Sequence, residues 1–299
     1  FHMHKDKRLI GILLILLQGL IFGVNDPLVK LLLQDVPVFF FLTVRYLISM
    51  IMILIIWHST IIEEIKNTSI RHYILPTLML TLAYIFVNVA LSLSDATRVS
   101  FIRSLSVVIT PILTLLIYRK IPASLSVLFF AAMPLGLFLL CMKGSSFAFD
   151  YGCIFALLSA VFVAGSLVFT GNTLKHVSAI TLTFTQIACS FVFNLLACLL
   201  SDTANSSYFT VIMQFDNLGI LLYSSIMCTI VGFCLQNLAL SRISAEIAGV
   251  FQCVYPITAS LVSPVFFCIT LTGSNIVGIL IIIACIIGQS LSRLTVDEV

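Results

Sequence analysis

Ten long apolar runs, parted mostly by only a few polar residues, leave this chain a bilayer as the one solvent it can fold in. A helix needs about 20 apolar residues to cross roughly 30 Å of hydrocarbon. Cutting the chain at its polar breaks gives spans at 9–33, 37–57, 72–93, 96–117, 123–142, 151–173, 178–200, 217–240, 245–268 and 274–292. Charged residues make up 9% of the chain and hydrophobic ones 61%. A water-soluble domain carries roughly 25% charge, so these charges cannot cover a globule in water. In lipid each backbone polar group must be satisfied internally, which helices do on their own. The expected fold class is therefore an all-α polytopic membrane protein. Its longest connections, 58–71 and 201–216, are too short for a soluble domain, so neighbouring helices are expected to form antiparallel hairpins.

The cations set an expected orientation. With the N-terminus inside, Lys5, Lys7, Arg8, Lys66, Arg71, Arg119, Lys120, Lys175, Arg242 and Arg293 fall on the cytoplasmic side and Lys143 alone outside. Such a bias marks the cytoplasmic face and predicts ten crossings with both termini in the cytoplasm. Phe1 and His2 precede Met3, which reads as the natural start. The basic stretch Lys5-Asp6-Lys7-Arg8 is followed by no small-residue cleavage site, so a first span in the inner (cytoplasmic) membrane is expected rather than a leader. The nine cysteines form no Cys-x-x-Cys pair and have no histidine at ligand spacing. They read as packing residues, without a disulfide framework or a metal site. No phosphate loop, nucleophile elbow or basic nucleic-acid face appears, so no catalytic residue, cofactor or nucleic-acid partner is expected and the chain is not read as an enzyme.

The chain repeats itself. Val87-Asn88-Val89-Ala90-Leu91-Ser92 matches Gln236-Asn237-Leu238-Ala239-Leu240-Ser241 at a spacing of 149, and Leu16-Leu17 matches Leu157-Leu158 at 141. Two five-helix halves follow, 3–143 and 144–299. Five crossings is an odd number, so the second half must run with opposite topology. Inverted repeats of this kind build carriers whose site lies near the midplane.

Phe22-Gly23, Lys30, Pro37 and Arg45-Tyr46, followed in the second half by Asn237 through Ala245 and then Pro256, resemble the pattern of the EamA family of the drug/metabolite transporter superfamily. The resemblance runs through both halves. Two departures stand out. The family's Leu-Gly-Glu ending of the fourth and ninth helices is replaced by Tyr118-Arg119-Lys120 and Phe267-Cys268-Ile269, and Val107 holds the first-half proline slot. The resemblance implies export of amino acids or related metabolites. With no ATP-binding motif, a gradient would have to drive it.

A charge in the hydrocarbon costs at least ~2.5–3.5 kcal/mol, so each one calls for a reason. Asp26, Arg45 and Arg103 all lie roughly 10–12 Å below the outer ends of their spans. They form either a substrate cluster or a structural ion pair. At the repeat spacings Arg45 maps onto Gln186, Arg103 onto Gln252, Asn88 onto Asn237 and Asp26 onto Leu167. A pair required by the fold would tend to recur in both halves; this one does not. Guanidiniums suit a carboxylate, and amides can hold a ligand's neutral polar groups. The expected substrate-binding set is therefore Arg45, Arg103, Asn88, Gln186, Asn237 and Gln252, with Tyr84 and Tyr255 as cavity aromatics. Asp26 is the candidate for proton coupling. Asn25 and Pro27 beside it predict a helix break, because proline removes a backbone hydrogen bond. An i,i+4 pair of Asp26 with Lys30 is the plainer alternative. Lys30 and Arg98 read as structural cations near the surface, and Glu246 as a favourable charge in a first helical turn.

The leading reading is a secondary carrier for a small carboxylate-bearing metabolite, working by alternating access as a monomer or weak homodimer in the lipid bilayer. Uptake or exchange of a larger metabolite such as a nucleoside derivative, or efflux of toxic cations, is the alternative within transport. A non-transporting membrane helper subunit is the alternative outside it.

Overall fold

The computed structural model describes residues 2–119, 124–141, 150–201, 205–267 and 272–296. Lys120, Lys143, Asp202, Cys268, Ile269 and the expected boundary at 143/144 lie outside the described residues. The described chain is helical: α1 (His2–Leu32), α2 (Val38–Asn67), α3 (Arg71–Leu93), α4 (Ala96–Ser104), α5 (Ser106–Tyr118), α6 (Ser124–Cys141), α7 (Tyr151–Thr173), α8 (Ala179–Leu200), α9 (Ser206–Ile212), α10 (Phe215–Tyr223), a π-helical segment Ser224–Gly232, α11 (Phe233–Leu240), α12 (Ala245–Phe251), α13 (Val254–Phe267) and α14 (Gly273–Val296). Eight helical stretches are long and apolar enough to cross a membrane. The other two expected spans, in α6 and α14, are helical too and pack on each other; the apolar part of α14 is the shorter run Gly273–Gly288.

Burial departs from that of a soluble protein: large apolar side chains cover the outside, and long polar ones are buried within the apolar core. Ile55 and Leu116 are 72% and 71% exposed, while Arg45 and Gln186 are 1% and 0% exposed. Apolar side chains outside and polar ones inside are what a hydrocarbon solvent selects.

Packing follows the repeat. α1 packs on α11, α12 and α13, and its counterpart α7 packs on α3, α4 and α5. α2 packs on the π-helical segment, while α8 packs on α3; α2 and α8 also pack on each other. Three contacts give the relative directions. Lys30 Nζ near the end of α1 donates to the Leu91 carbonyl at the end of α3 (2.6 Å), and Ser94 just past α3 donates to Asp150 at the start of α7 (2.9 Å). The end of α7 returns to the start of α3, where Thr173 Oγ1 donates to the His72 carbonyl (3.0 Å). α1 and α7 thus run in opposite directions. The end holding the start of α1 is called the near end below, and the other the far end.

Several boundaries differ from expectation. The connection expected at 58–71 is largely a continuation of α2, which turns at Trp57 (φ −123°, ψ 23°) and runs on to Asn67. The connection at 201–216 contains α9. The spans expected at 96–117 and 245–268 are each interrupted, at Leu105 and at Gln252–Cys253. There the helix tightens locally to i→i+3 bonds, with Leu105 N–H on Ile102 (3.1 Å) and Cys253 N–H on Val250 (3.1 Å).

The break expected at Asn25 and Pro27 is absent: α1 is helical through both. Pro27 cannot bond the Gly23 carbonyl, but neighbouring segments support the helix there. Ser224 Oγ donates to Asn25 Oδ1 (2.7 Å) and Tyr223 Oη to the Ile21 carbonyl (3.0 Å). Such tertiary partners are how membrane helices tolerate proline. Nor does Lys30 pair with Asp26, since its ammonium binds the Leu91 carbonyl.

Candidate functional site

On α1, Gln18, Phe22 and Asp26 recur every four residues and so share a face. That face meets α13 at close range because residue 23 is glycine. A Cβ there would lie 2.4 Å from Thr258 Cβ and 2.7 Å from the Tyr255 carbonyl oxygen. The close approach lets the Tyr255 hydroxyl donate to Asp26 Oδ2.

Arg103 comes from the last turn of α4, directly before the interruption at Leu105. Its guanidinium carbon lies 4.9 Å from the Tyr84 ring centroid and 5.2 Å from that of Tyr255. Two ring faces therefore hold one cation, a favourable arrangement away from water. Asp26 attracts both this guanidinium and that of Arg45 electrostatically.

Opposite Arg103 stand three glutamines. Gln18 Nε2 donates to Gln236 Oε1 (3.0 Å), and Gln252 Nε2 donates to both Gln18 Oε1 and Gln236 Oε1 (3.2 Å each). Gln252 immediately follows α12, at the second interruption, so the two repeat-related breaks present repeat-related residues. Arg103 lies roughly 10 Å along its helix from the far end and Gln252 roughly 10 Å from the near end, on either side of the midplane.

Between them is a narrow cleft of about 30 Å³, lined by Gln18, Phe22, Tyr84, Arg103, Gln236, Gln252 and Tyr255 together with smaller and apolar residues. Among the described residues Arg103 is the one charged side chain in its lining. Phe22, Tyr84 and Phe233 pack edge-on or tilted at one side, with centroids 4.9–6.4 Å apart. Tyr84 and Phe233 are themselves repeat partners. A second cavity of about 420 Å³ opens at the near end among Tyr118, Lys175, Arg242 and Glu246. It shares the walls α5, α7 and α12 with the central cleft.

Of the residues expected at the site, Arg103, Gln252, Tyr84 and Tyr255 line the cleft, and Asp26 is joined to it through Tyr255. The other four do not line it. Arg45 is enclosed between α2 and the π-helical segment, where Nε donates to Thr229 Oγ1 (2.7 Å) and Nη2 is buried without a partner. Asn88 Nδ2 turns back to the Tyr84 carbonyl (2.8 Å). Asn237 Nδ2 donates to Gln186 Oε1 and Thr183 Oγ1 (2.9 Å each), tying α11 to α8. Gln18 and Gln236 were not foreseen. Gln236 stands next to Asn237 in the repeated motif, and Gln18 interrupts an apolar run; both were available signals.

The two halves are also stitched at their ends. At the far end Asp150 caps α7, accepting from Cys153 N–H (3.1 Å), and binds Ser94 Oγ (2.9 Å) and Arg98 Nη1 (2.6 Å). Burial pushes this carboxyl up, but the hydrogen bonds from Ser94 and Cys153 and the Arg98 charge outweigh it and hold it below the usual 3.8. At the near end Glu64 accepts from Ser178 and Thr181 at the start of α8. Glu246 lies in the first turn of α12, where an acid favours the helix dipole.

A model of the EamA-like transporter family matches residues 9–142 and 150–291, one copy in each half. No curated protein sequence matches the chain. A crystal structure matches 97% of this chain and 99% of its own at a TM-score of 0.75 with 13% identity, a likeness of fold.

Proposed function

Because the chain belongs to the EamA-like transporter family, part of the drug/metabolite transporter superfamily, we propose that it is a secondary carrier exporting a small carboxylate-bearing metabolite, zwitterionic amino acids included. The observation that carries this reading is the guanidinium of Arg103, the lone charge among the described residues of a cleft otherwise lined by amides, hydroxyls, rings and small or apolar side chains. A planar guanidinium binds a carboxylate in a two-pronged fashion. The rings around it exclude water and strengthen that attraction. Gln18, Gln236 and Gln252 offer acceptors for an amine and donors for further oxygens.

Asp26 supplies the proton coupling in this reading. Ionised, it competes electrostatically with a substrate carboxylate for Arg103; protonated, it releases that guanidinium. Arg45 acts on the substrate only through Asp26, from behind the cleft wall.

Membrane sidedness follows from charge. Lys7, Arg8, Lys66, Arg71, Arg119, Lys175 and Arg242 lie at the near end, which supports a cytoplasmic near end and a cytoplasmic N-terminus. The near-end cavity is then the cytoplasmic entrance, which suits loading of an exporter from inside.

Counterflow in proteoliposomes against a panel of amino acids, other carboxylates, nucleosides and organic cations tests the assignment. Exchange of carboxylate-bearing solutes is expected. Exchange of cations or nucleosides alone would overturn it, and so would a lack of exchange with tight binding of a partner subunit.

A further inference from the structure

A third cavity, of about 610 Å³, lies apart from the transport cleft on the lipid-facing side, between the end of α2, the first half of α3 and α8. Its walls include Ile65, Ile70, Ile74, Cys189 and Phe193, and they are almost wholly apolar. Of its hydroxyls, Thr185 Oγ1 donates to the Leu182 carbonyl (2.8 Å) and accepts from Thr77 Oγ1 (3.4 Å), so both are satisfied within the protein. Tyr73 differs: it is 5% exposed, lines the groove, and its hydroxyl, buried beside that of Thr68, makes no hydrogen bond of normal length. A buried donor left unmade is costly, which points to an acceptor supplied from outside the protein.

Length and charge identify the supplier. The groove starts at the near-end connection Thr68–Ile70, level with the start of α8, and reaches Phe193, roughly 20 Å along α8. One leaflet of hydrocarbon is about 15 Å deep, so the groove matches an extended acyl chain. Lys66 and Arg71, both exposed, adjoin the lining residues Ile65 and Ile70 in sequence at its mouth. Of the two acids nearby, Glu64 is engaged at the start of α8, leaving Glu63 against both cations.

We propose that this groove binds an anionic phospholipid, with one acyl chain between α3 and α8, the phosphate at Lys66 and Arg71, and the Tyr73 hydroxyl donating to a lipid ester or phosphate oxygen. The lipid bridges the seam between α2–α3 of the first half and α8 of the second. Its occupancy is therefore coupled to movement of one half against the other, whatever the transported substrate.

Native mass spectrometry of the purified chain, given equal phosphatidylglycerol and phosphatidylcholine, tests this. Retention of phosphatidylglycerol is expected to exceed that of phosphatidylcholine by about tenfold, since two cations face the headgroup. Lys66→Gln/Arg71→Gln removes the preference while some lipid still binds. Cys189→Trp, filling the groove, removes retention of both lipids with an unchanged thermal midpoint in detergent; Ile74→Trp serves the same purpose from α3 if that variant does not fold. Equal retention of the two lipids by the unaltered protein overturns the proposal, as does undiminished retention in a folded plugged variant. A dimeric mass that the plugs dissociate also overturns it, marking the groove as a contact between copies.

Discussion

The interruption after Arg103 and the interruption at Gln252 are the same structural device in two chemical versions. Each follows a short helix that enters from one membrane face, tightens to i→i+3 bonds near the midplane, and places a long polar side chain in one shared cleft. The first version carries a guanidinium between two aromatic rings, the second an amide bonded to two others. The neighbouring helix differs in the same sense. Asp26 on α1 corresponds to Leu167 on α7, which is fully buried in an apolar cluster. The fold thus closes around Leu and Gln as readily as around Asp and Arg. Backbone architecture does not demand the charges, and their cost in hydrocarbon points to function. Replacing Arg103 by Gln, which copies the second half's chemistry onto the first, breaks the comparison most sharply. We expect carboxylate exchange in proteoliposomes to fall about 100-fold, the scale of a lost charge-assisted bond, while the protein keeps its detergent melting point. Exchange at the original rate would show that the asymmetry is incidental.

The second half is tested by its own key residue. Gln252 alone donates to both Gln18 and Gln236, so Gln252→Leu leaves the Gln18 oxygen in the cleft without its donor, while Gln236 keeps the bond from Gln18. An unsatisfied polar group in such a place costs about 1–3 kcal/mol. Apparent substrate affinity in counterflow is expected to drop about tenfold, with a smaller change in maximal rate. An unaltered affinity would mean that substrate does not touch the amide side.

Asp26→Asn separates coupling from binding. Asparagine accepts the Tyr255 hydrogen bond through its own oxygen but cannot ionise, so the competition for Arg103 disappears. Exchange at equilibrium is expected to stay within about threefold of the original rate, the scale of one perturbed hydrogen bond. Accumulation driven by a proton gradient is expected to vanish. Intact gradient-driven accumulation would remove Asp26 from the coupling role and leave it a partner of Tyr255 and Arg103.

How much of this was legible in the sequence depends on the kind of signal. Eight of the expected membrane-spanning segments and the repeat were legible because hydropathy and spacing are read over many residues. Arg103 was found because a charge inside a span calls for a reason, and Gln252 because a sequence offset relates it to Arg103. The breaks beside them were not, since Leu105 and Cys253 are neither glycine nor proline, and i→i+3 tightening leaves no compositional mark. Pro27 shows the converse: a strong local breaker overruled by Ser224 and Tyr223 from a segment about 200 residues away. Arg45 was grouped with Arg103 on depth alone, and depth does not say which way a helix is rotated. Rotation turns Arg45 toward Thr229 and puts the neutral Gln18 and Gln236 into the cleft instead.

The smallest effect concerns the ends, where the halves are again alike in plan. Asp150 and Glu64 each join the halves by engaging the start of a second-half helix. Asp150 also carries the Arg98 pair, with about a third of its side chain exposed, so solvent screens much of the attraction. Its carboxyl is held below 3.8, which makes the tie favourable while it is ionised. That stabilisation is present above the unfolded-state value of 3.8 and is lost as pH falls from there through the folded-state value. Asp150→Asn at neutral pH is expected to lower the melting temperature by about 2 °C, the scale of one weakened helix cap. Below pH 3.8 the gap between variant and parent is expected to close. A gap that persists in acid would place the contribution of Asp150 in the shape of its cap rather than in its charge.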